Sequence, residues 1–229
     1  MIIENLGLIC AKENSSGLKK KNLRKIKNKT LFEITSDHIS KSTLIDKTIV
    51  STDSKKIMMI AKNYNFDIPF KRPKYLCQKY SSEWSVWQHA LKYFYKKYKY
   101  LPKRLIVCPC TSPKRDPKII DKAIKKFISL KSEVLISICK INLNPNFNII
   151  KLNKKNYVEI YQKLNKKIYN RQEVEQAYQI TTNIYVLDPK FVMRKKNIFD
   201  SQKIDYIEID KYSSLDIDDE YDYLLAKSL

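Results

Sequence analysis

The chain alternates short apolar runs with longer segments whose apolar residues recur at helical spacing, and this alternation restricts the fold more than any other feature. The predicted strands are Leu6–Ala11, Ile45–Ser51, Leu105–Cys108, Val134–Ile138, Asn183–Leu187 and Ile204–Ile209. The predicted helices are Leu31–Ser42, Lys55–Tyr64, Ser82–Tyr98, Pro117–Lys131, a segment beginning near Pro189, and Glu220–Leu229. Strands that alternate with helices form a mostly parallel sheet covered on both faces. We therefore predict a three-layer α/β fold, built as a single domain over residues 1–229.

Residues 141–180 interrupt this alternation. Phe147–Leu152 and Tyr157–Tyr161 show strand-like alternation, and the polar stretch Asn153–Asn156 separates them. Two such runs joined by a short polar turn predict a β-hairpin. The hairpin extends from the domain either as an arm that contacts a second subunit or as a flap.

The chain is strongly basic, with a formal net charge of +21. Such a charge is also typical of nucleic-acid-binding proteins, which bind any duplex tightly at low salt. The lysines, however, are spread along the whole sequence, which contains only 2 glycines. This distribution indicates a general compositional bias and a diffusely basic surface. We therefore predict no nucleic-acid partner, while a site for a polyanionic small molecule remains compatible with the charge.

The sequence predicts a cytoplasmic protein. No apolar run approaches the ~18 residues of a membrane span, so we predict no membrane association. The N-terminal sequence MIIENLGLIC lacks the basic segment that opens a secretory signal. Of the 5 cysteines, Cys10, Cys108 and Cys139 lie in or beside apolar runs. An odd number of cysteines at core-like positions predicts reduced, buried thiols.

Polar clusters follow several of the predicted strands, namely Ser15–Lys21, Asp53 and Thr111–Arg115. Ligands of open α/β sheets bind at the carboxyl ends of the strands, so these clusters mark the candidate site. In the stretch Leu6–Arg24, an apolar strand leads into a small-residue loop and then into lysines. Loop amides and ammonium groups can surround a phosphate chain, although the loop is neither GxxxxGK[ST] nor GxGxxG. The alternative is a strand followed by a solvated basic loop.

Asp216 and Asp218 alternate in an extended segment, so their side chains point to the same side. Paired carboxylates suit Mg²⁺, which proteins hold through one or two carboxylates together with substrate phosphates. The alternative is a helix N-cap, because Asp218 and Asp219 precede the last predicted helix. A lysine-rich loop together with such a metal site is typical of enzymes that transfer nucleotidyl or phosphoryl groups.

Two further groups are predicted to be structural. Trp84, Trp87, Leu91, Phe94 and Tyr98 form a stripe at helical spacing, which is typical of a core or a subunit interface. His38 and His89 fall on predicted helices with no Ser or Cys nucleophile beside them, so we assign them no catalytic role.

Several stretches, in the same order along the chain, resemble motifs of the acylneuraminate (CMP-sialic acid type) cytidylyltransferases. The stretch Ala11–Arg24 resembles the family loop A-R-x-x-S-K-G-L-x-x-K-N. The other similar stretches are Val50–Ser54 (VSTD), Arg72-Pro73 with Ser81-Ser82 and His89–Leu91 (RP…SS…HAL), Thr111–Arg115 (TSPLR), Arg171-Gln172 with Tyr178 and Tyr185 (RQ…Y…IY), and Ser214–Asp218 (S-I-D-I-D). Asn144–Asn148 and Tyr178–Thr182 are more similar to the legionaminic-acid-type members than to the sialic-acid ones.

The resemblance implies a Rossmann-like nucleotide-diphospho-sugar transferase fold, with the hairpin region at about 141–180 as a dimerisation extension of a homodimer. It implies a reaction in which the anomeric hydroxyl of a nonulosonic acid attacks the α-phosphate of CTP, with Mg²⁺ as cofactor. The products are the CMP-sugar and pyrophosphate. A cytidylyltransferase for the eight-carbon sugar acid Kdo is an alternative with the same chemistry.

By the same resemblance, each matching residue receives an expected role. The catalytic residues are Lys21 and Asp218, and the metal ligands are Asp216 and Asp218. The nucleotide-binding residues are Lys12, Asn14, Ser15, Gly17, Asn22, Arg72 and Ser82. The sugar-binding residues are Thr111, Ser112, Arg171, Gln172 and Tyr178. The group that removes the hydroxyl proton is left open between Asp218 and a hydroxide on the metal.

Two residues of the loop depart from the family motif. Lys12 stands where the family has arginine, which keeps the charge but loses the bidentate fork that suits phosphate. Ser16 stands where the family has lysine, which removes a cation. Lys19 or Lys20 can compensate for that loss; otherwise the chain is a weak enzyme, one with another substrate, or a degenerate member that serves as a binding or assembly subunit.

Overall fold

The computed structural model describes residues 2–15, 17–165 and 167–229. The strands are β1 (Asn5–Cys10), β2 (Lys25–Ile26), β3 (Lys29–Thr30), β4 (Lys47–Ser51), β5 (Arg104–Val107), β6 (Val134–Lys140), β7 (Ile150–Leu152), β8 (Val158–Ile160), β9 (Tyr178–Leu187) and β10 (Ile204–Glu208). The α-helices are α1 (Leu31–Ser40), α2 (Lys55–Asn63), α3 (Glu83–Tyr98), α4 (Lys118–Leu130), α5 (Pro189–Arg194) and α6 (Glu220–Ser228). None of these helices combines the length and apolar character that a bilayer span requires.

The central sheet has the strand order β10-β6-β9-β5-β1-β4. Strand β1 pairs in parallel with β4 and β5, and β10 pairs in parallel with β6. The prediction of an α/β fold with a mostly parallel sheet is thus confirmed. Strand β9, in contrast, runs antiparallel to both β5 and β6, which the alternation did not predict. A parallel neighbour requires a crossover connection, whereas the chain enters β9 directly from the hairpin region.

Helices cover both faces of the sheet, and successive strand residues point into two separate cores. On β5, Leu105 and Val107 pack into the core shared with α3 and α5, while Ile106 packs into the core shared with α1, α2, α4 and α6. This alternation follows from the two-residue period of a strand. The aromatic stripe predicted on α3 is part of the first core, where Trp84, Trp87 and Phe94 are buried.

The hairpin predicted within residues 141–180 is present. Strands β7 and β8 pair antiparallel, with Ile150 opposite Ile160 and Leu152 opposite Val158. Several of its apolar side chains are exposed, among them Leu152 at 64% and Val158 at 63%. Its predicted role in dimerisation stays a prediction.

The cysteines are unpaired thiols, as predicted. Cys108 and Cys139 are buried, and Cys10 is partly buried. Burial raises the pKa of Cys10 to about 12, so this thiol stays protonated at neutral pH.

His38 on α1 gives a testable pH dependence. Burial lowers the pKa of this imidazole to about 4, and the nearby charges of Arg115 and Lys41 act in the same direction. As pH falls from about 6.5 to about 4, the unfolded chain binds a proton that the folded chain excludes. We therefore expect the free energy of unfolding to fall by up to about 3 kcal/mol over this range.

Urea unfolding of the wild type and of His38→Gln at several pH values measures this contribution. The variant is expected to lose most of the pH dependence between about pH 6.5 and pH 4.5. His89→Gln is the matched control, since burial also lowers the pKa of His89 but less strongly. Equal pH dependence in the wild type and His38→Gln would contradict the assignment.

Candidate active site

A cavity of about 510 Å³ lies at the carboxyl ends of β1, β4 and β5. It is thus at the edge of the sheet where the sequence predicted a site. Its lining combines cationic, carboxylate and hydroxyl side chains with apolar ones in similar measure. The lining residues are Cys10, Lys12, Ser15, Gly17, Lys21, Asn22, Arg72, Leu76, Ser81, Glu83, Val86, Pro109, Cys110, Thr111, Thr182, Asp216 and Asp218.

The loop after β1 is held in place at both of its ends. The amide of Glu13 donates to Asp53 Oδ1 over 2.8 Å, and the side-chain amide of Asn22 donates to the carbonyl of Lys12 over 2.8 Å. Asn22 is buried, so its bond closes the loop from within. The loop therefore presents Lys12 and Ser15 to the cavity from a fixed backbone.

Lys21 reaches across the cavity from the end of this loop. Its Nζ donates to the carbonyl of Ile217 over 2.6 Å and to Asp218 Oδ1 over 2.9 Å. The lysine side chain is only 12% exposed, whereas that of Asp218 is 76% exposed. The ammonium group is consequently fixed beside an open space in which an anion can approach it.

Gly17 places the loop directly against the backbone of Asp218. A Cβ atom at position 17 would lie 2.3 Å from the carbonyl oxygen of Asp218, which is far below a van der Waals contact. Only glycine permits this approach, so the loop and the segment carrying Asp218 form one packed unit.

Gly17→Ala is expected to lower turnover strongly while the protein stays folded, because the added methyl group must push Asp218 or the loop out of position. A displacement of about 1 Å at a catalytic group costs on the order of 100-fold in rate. Steady-state kinetics and thermal unfolding of the variant measure the two effects.

Gly7→Ala is the matched control for this prediction. A Cβ at Gly7 would meet Thr48 Oγ1 at 2.9 Å and Ile39 Cδ1 at 3.0 Å, both inside the core. Overpacking there is expected to lower stability by about 1–3 kcal/mol and to spare the rate of the folded fraction. Gly17→Ala with unchanged kinetics would show that the contact does not position the site.

Asp216 supplies a carboxylate that is mostly enclosed by the cavity wall. Its Oδ1 is buried and, among the described residues, meets no hydrogen-bond donor. Burial raises the pKa of Asp216 and the charge of Asp218 acts in the same direction, while hydrogen bonding of the carboxylate with the hydroxyls of Thr111 and Thr182 lowers this pKa. A buried carboxylate oxygen without a donor is the arrangement that a bound cation satisfies.

The last helix is capped by Asp219 and not by Asp218. Asp219 Oδ1 accepts the amide of Asp222 over 3.0 Å, and Asp222 accepts the amide of Asp219 in return. This reciprocal pair is a complete N-cap. Asp218 is thereby left to face the cavity together with Asp216.

An irregularity in β9 brings Thr182 into the cavity. Ile136 of β6 pairs with Tyr185, but the next residue, Ser137, pairs with Thr181. The hydroxyl of Ser137 bonds to the backbone where the strand pairing is interrupted. It accepts the amide of Ile184 over 3.0 Å, and it lies 3.2 Å from the carbonyl oxygens of Thr181 and Ile184, to which it can donate. β-Bulges of this kind redirect side chains next to active sites.

The hydroxyl of Thr182 lies 3.1 Å from those of both Thr111 and Ser112. Thr111 lines the cavity, whereas Ser112 is buried behind it.

Arg72 is a buried residue of the cavity wall. Its guanidinium donates to Ser51, the last residue of β4, through Nε to the hydroxyl over 3.0 Å and through Nη2 to the carbonyl. Ser82 caps α3 by accepting the amide of Ser85 over 3.1 Å, so its side chain serves the helix. The cavity is lined instead by its neighbours Ser81 and Glu83.

A sequence profile described as "Cytidylyltransferase" matches residues 6–225. The chain belongs to the cytidylyltransferase family. It is 30% identical, over 96% of its length, to the N-acylneuraminate cytidylyltransferase of Escherichia coli, of which it covers 51%. It is 26% identical, over 99% of its length, to the CMP-N,N'-diacetyllegionaminic acid synthase of Campylobacter jejuni, of which it covers 94%.

The fold is also that of a solved cytidylyltransferase. The structure of CMP:2-keto-3-deoxy-manno-octonic acid synthetase complexed with CTP superimposes with a TM-score of 0.70. The match covers 99% of this chain and 100% of that chain at 13% sequence identity. At this identity the similarity demonstrates a shared fold and nothing finer.

Some residues assigned by the family resemblance lie away from the cavity of this cytidylyltransferase chain. Arg171 donates to Asn142 over 2.6 Å, and both Arg171 and Gln172 are exposed. Tyr178 begins β9 and is 43% exposed. Asn14 is exposed on the loop and does not line the cavity. Ser16 lies outside the described residues.

Sequence reasoning missed three polar lining residues of the cytidylyltransferase cavity, namely Ser81, Glu83 and Thr182. Thr182 depends on the β9 bulge, which has no local sequence signal. Ser81 and Glu83 flank the assigned Ser82, so the helix-start pattern S-S-E was the available signal. Whether Ser82 or its neighbours face the cavity depends on the direction of α3.

Proposed function

We propose that this cytidylyltransferase transfers a cytidylyl group from CTP to a nonulosonic acid of the legionaminic or sialic type and releases pyrophosphate. One observation carries the proposal: Lys21 and Asp218 form an ion pair in a cavity that Asp216 and the loop after β1 also line. The names of relatives that match over almost the whole chain support this sugar class.

In this proposal the triphosphate lies along the loop after β1. Lys21 neutralises charge that develops on the α-phosphate and on the departing pyrophosphate. Lys12 and Ser15 contact the phosphates from the same wall. The sugar lies towards β5 and β9, where Thr111 and Thr182 offer hydroxyl groups.

Asp216 and Asp218 would hold Mg²⁺, and the residues present fit this ion. Two carboxylates face one cavity, and the buried Oδ1 of Asp216 has no hydrogen-bond donor among the described residues. Within the same part of the chain no three His, Cys, Asp or Glu side chains form a metal cage. This agrees with Mg²⁺, which takes its remaining ligands from water and phosphates. When bound, the ion supplies Lewis-acid polarisation of the reacting phosphate.

Asp218 is our candidate for the group that accepts the proton of the sugar hydroxyl. Its side chain is 76% exposed, and its bond to Lys21 occupies Oδ1, so that Oδ2 is the oxygen available either to the cation or to this proton. A base that accepts a proton must lie within hydrogen-bond reach of the attacking group. The open side of Asp218 offers that reach.

The proposed active unit is a homodimer. Arg171, Gln172 and Tyr178 are exposed, and so are apolar side chains of the hairpin, such as Leu152 and Val158. Contiguous exposed apolar surface is typical of an interaction site. Size-exclusion chromatography with light scattering is expected to give twice the 27.2 kDa chain mass, and a monomer at all concentrations would contradict the dimer.

Pyrophosphate release tests the proposed reaction. The purified protein is incubated with CTP, Mg²⁺ and, in separate reactions, legionaminic, sialic and pseudaminic acids and Kdo. Release with a nonulosonic acid is expected, and release with Kdo alone would assign the other sugar class. A folded protein that binds CTP but releases no pyrophosphate with any sugar would instead be a binding subunit.

A further inference from the structure

The carboxylate of Asp218 already has a cation beside it. Lys21 Nζ donates to Asp218 Oδ1 over 2.9 Å, and this oxygen belongs to one of the two aspartates proposed to hold Mg²⁺. The ammonium group therefore neutralises one of the two carboxylate charges, those of Asp216 and Asp218. The affinity of a site for a hard cation rises with the net charge of its ligands, so Lys21 weakens the metal site when it acts alone.

The ammonium group of Lys21 is also held independently of Asp218. Its Nζ donates to the carbonyl of Ile217 over 2.6 Å, and the amide of Ile217 in turn donates to the carbonyl of Thr111 over 2.8 Å. The side chain of Lys21 is only 12% exposed. Its charge consequently stays beside Asp218, where water and salt screen it less than they screen a surface lysine.

Lys21 can contact a phosphate as well. An ammonium group has three N–H donors, and among the described residues two of them are used, at Ile217 and Asp218. Asp218 is 76% exposed, so its bond to Lys21 can exchange with a ligand that enters the cavity. A triphosphate brings several anionic oxygens to this ammonium group and offsets its charge. Asp218 then attracts a cation with its full charge.

We propose that Lys21 couples the two ligands of the cavity, because its ammonium group opposes divalent-cation binding at Asp216 and Asp218 until a triphosphate offsets its charge. This inference rests on the proposed function and its Mg²⁺ site. By linkage, the cation promotes nucleotide binding to the same extent as the nucleotide promotes cation binding. By the same electrostatics, Asp218 competes with a metal-free triphosphate for Lys21. The cation and the nucleotide therefore bind together.

Metal binding in the absence of nucleotide and sugar tests this coupling without turnover. Calorimetry with Mg²⁺ alone and electron paramagnetic resonance with Mn²⁺ alone give the dissociation constants of the wild type and Lys21→Met. Methionine keeps an unbranched side chain and removes the charge. We expect Lys21→Met to bind either ion about 10- to 100-fold more tightly than the wild type. A purely structural role of Lys21 predicts weaker metal binding instead, because Asp218 would lose its support.

Lys19→Met is the matched control, since it removes an exposed lysine of the same loop. It is expected to change the metal affinity by no more than about two- to three-fold, because exposed charges are screened. The double variant Lys21→Met/Asp218→Asn is expected to lose the gain in affinity, which locates the gain at Asp218. A metal affinity of Lys21→Met no higher than that of Lys19→Met overturns the inference.

Binding of CTP in the presence of EDTA is a second measurement, which does not depend on the folding of Lys21→Met. Asp218→Asn removes the carboxylate that competes for Lys21, so we expect this variant to bind metal-free CTP about 10-fold more tightly than the wild type. Unchanged or weaker CTP binding by Asp218→Asn overturns this inference and leaves the proposed function intact. A wild type that binds no CTP in the presence of Mg²⁺ overturns both.

Discussion

Lys21→Ala is expected to lower the rate of cytidylyl transfer by about 10²- to 10³-fold, the cost of removing one donor that stabilises charge in a transition state. Lys21 is 12% exposed and held by Ile217 and Asp218, so its ammonium group has a fixed position in the cavity wall. The variant also leaves the carbonyl of Ile217 without this donor. Single-turnover kinetics at saturating CTP measure the chemical step.

Lys19→Ala is the matched control, because Lys19 is an exposed lysine two residues away on the outer side of the loop. It removes the same charge from the protein without opening the cavity. We expect its rate to stay within a few-fold of the wild type, since exposed charges are strongly screened. Lys21→Ala with a rate near that of Lys19→Ala would refute the assignment of Lys21.

Asp216→Asn is expected to lower turnover strongly and to raise the Mg²⁺ concentration required for half-maximal activity. The substitution keeps the shape of the side chain but removes the negative charge of a buried oxygen that has no donor among the described residues. Loss of one of two carboxylate ligands weakens a hard-cation site severely. Magnesium titrations of CTP binding and of pyrophosphate release separate the two effects.

Asp219→Ala provides the matched control three positions along the same segment. Asp219 caps α6 through the amide of Asp222, so its loss is expected to cost about 1 kcal/mol of stability. Magnesium dependence should remain that of the wild type. The two variants thus separate the cap from the metal site, and equal magnesium curves for wild type and Asp216→Asn would argue against Asp216 as a ligand.

The helices and strands followed closely from the sequence because each has a strong local signal. The α3 stripe predicted a buried face, and Trp84, Trp87 and Phe94 are indeed in the core. The hairpin signal at Asn153–Asn156 was likewise sufficient, and β7 and β8 pair around it. These signals are local, since they depend on residues within one or two turns of each other.

The direction of β9 and its bulge had no such signal. Strand direction depends on where the chain re-enters the sheet after the hairpin, and the bulge depends on Ser137 in another strand. The position of Thr182 therefore needed the assembled sheet. Glu83 was missed for a related reason. The orientation of α3 decides that Ser81 and Glu83 line the cavity while Ser82, between them, does not.

The amino-acid sequence by itself determined the α/β class, the segments at the carboxyl ends of the strands, and the family motifs that include Lys21, Asp216 and Asp218. Only the tertiary structure decided which of two adjacent aspartates caps α6 and which faces the cavity. It also showed that Gly17 packs against the carbonyl of Asp218, about two hundred residues along the chain. Local patterns specify elements because their interactions are short-range, whereas a site built from β1, β5, β9 and the C-terminal segment exists only once those elements are packed together.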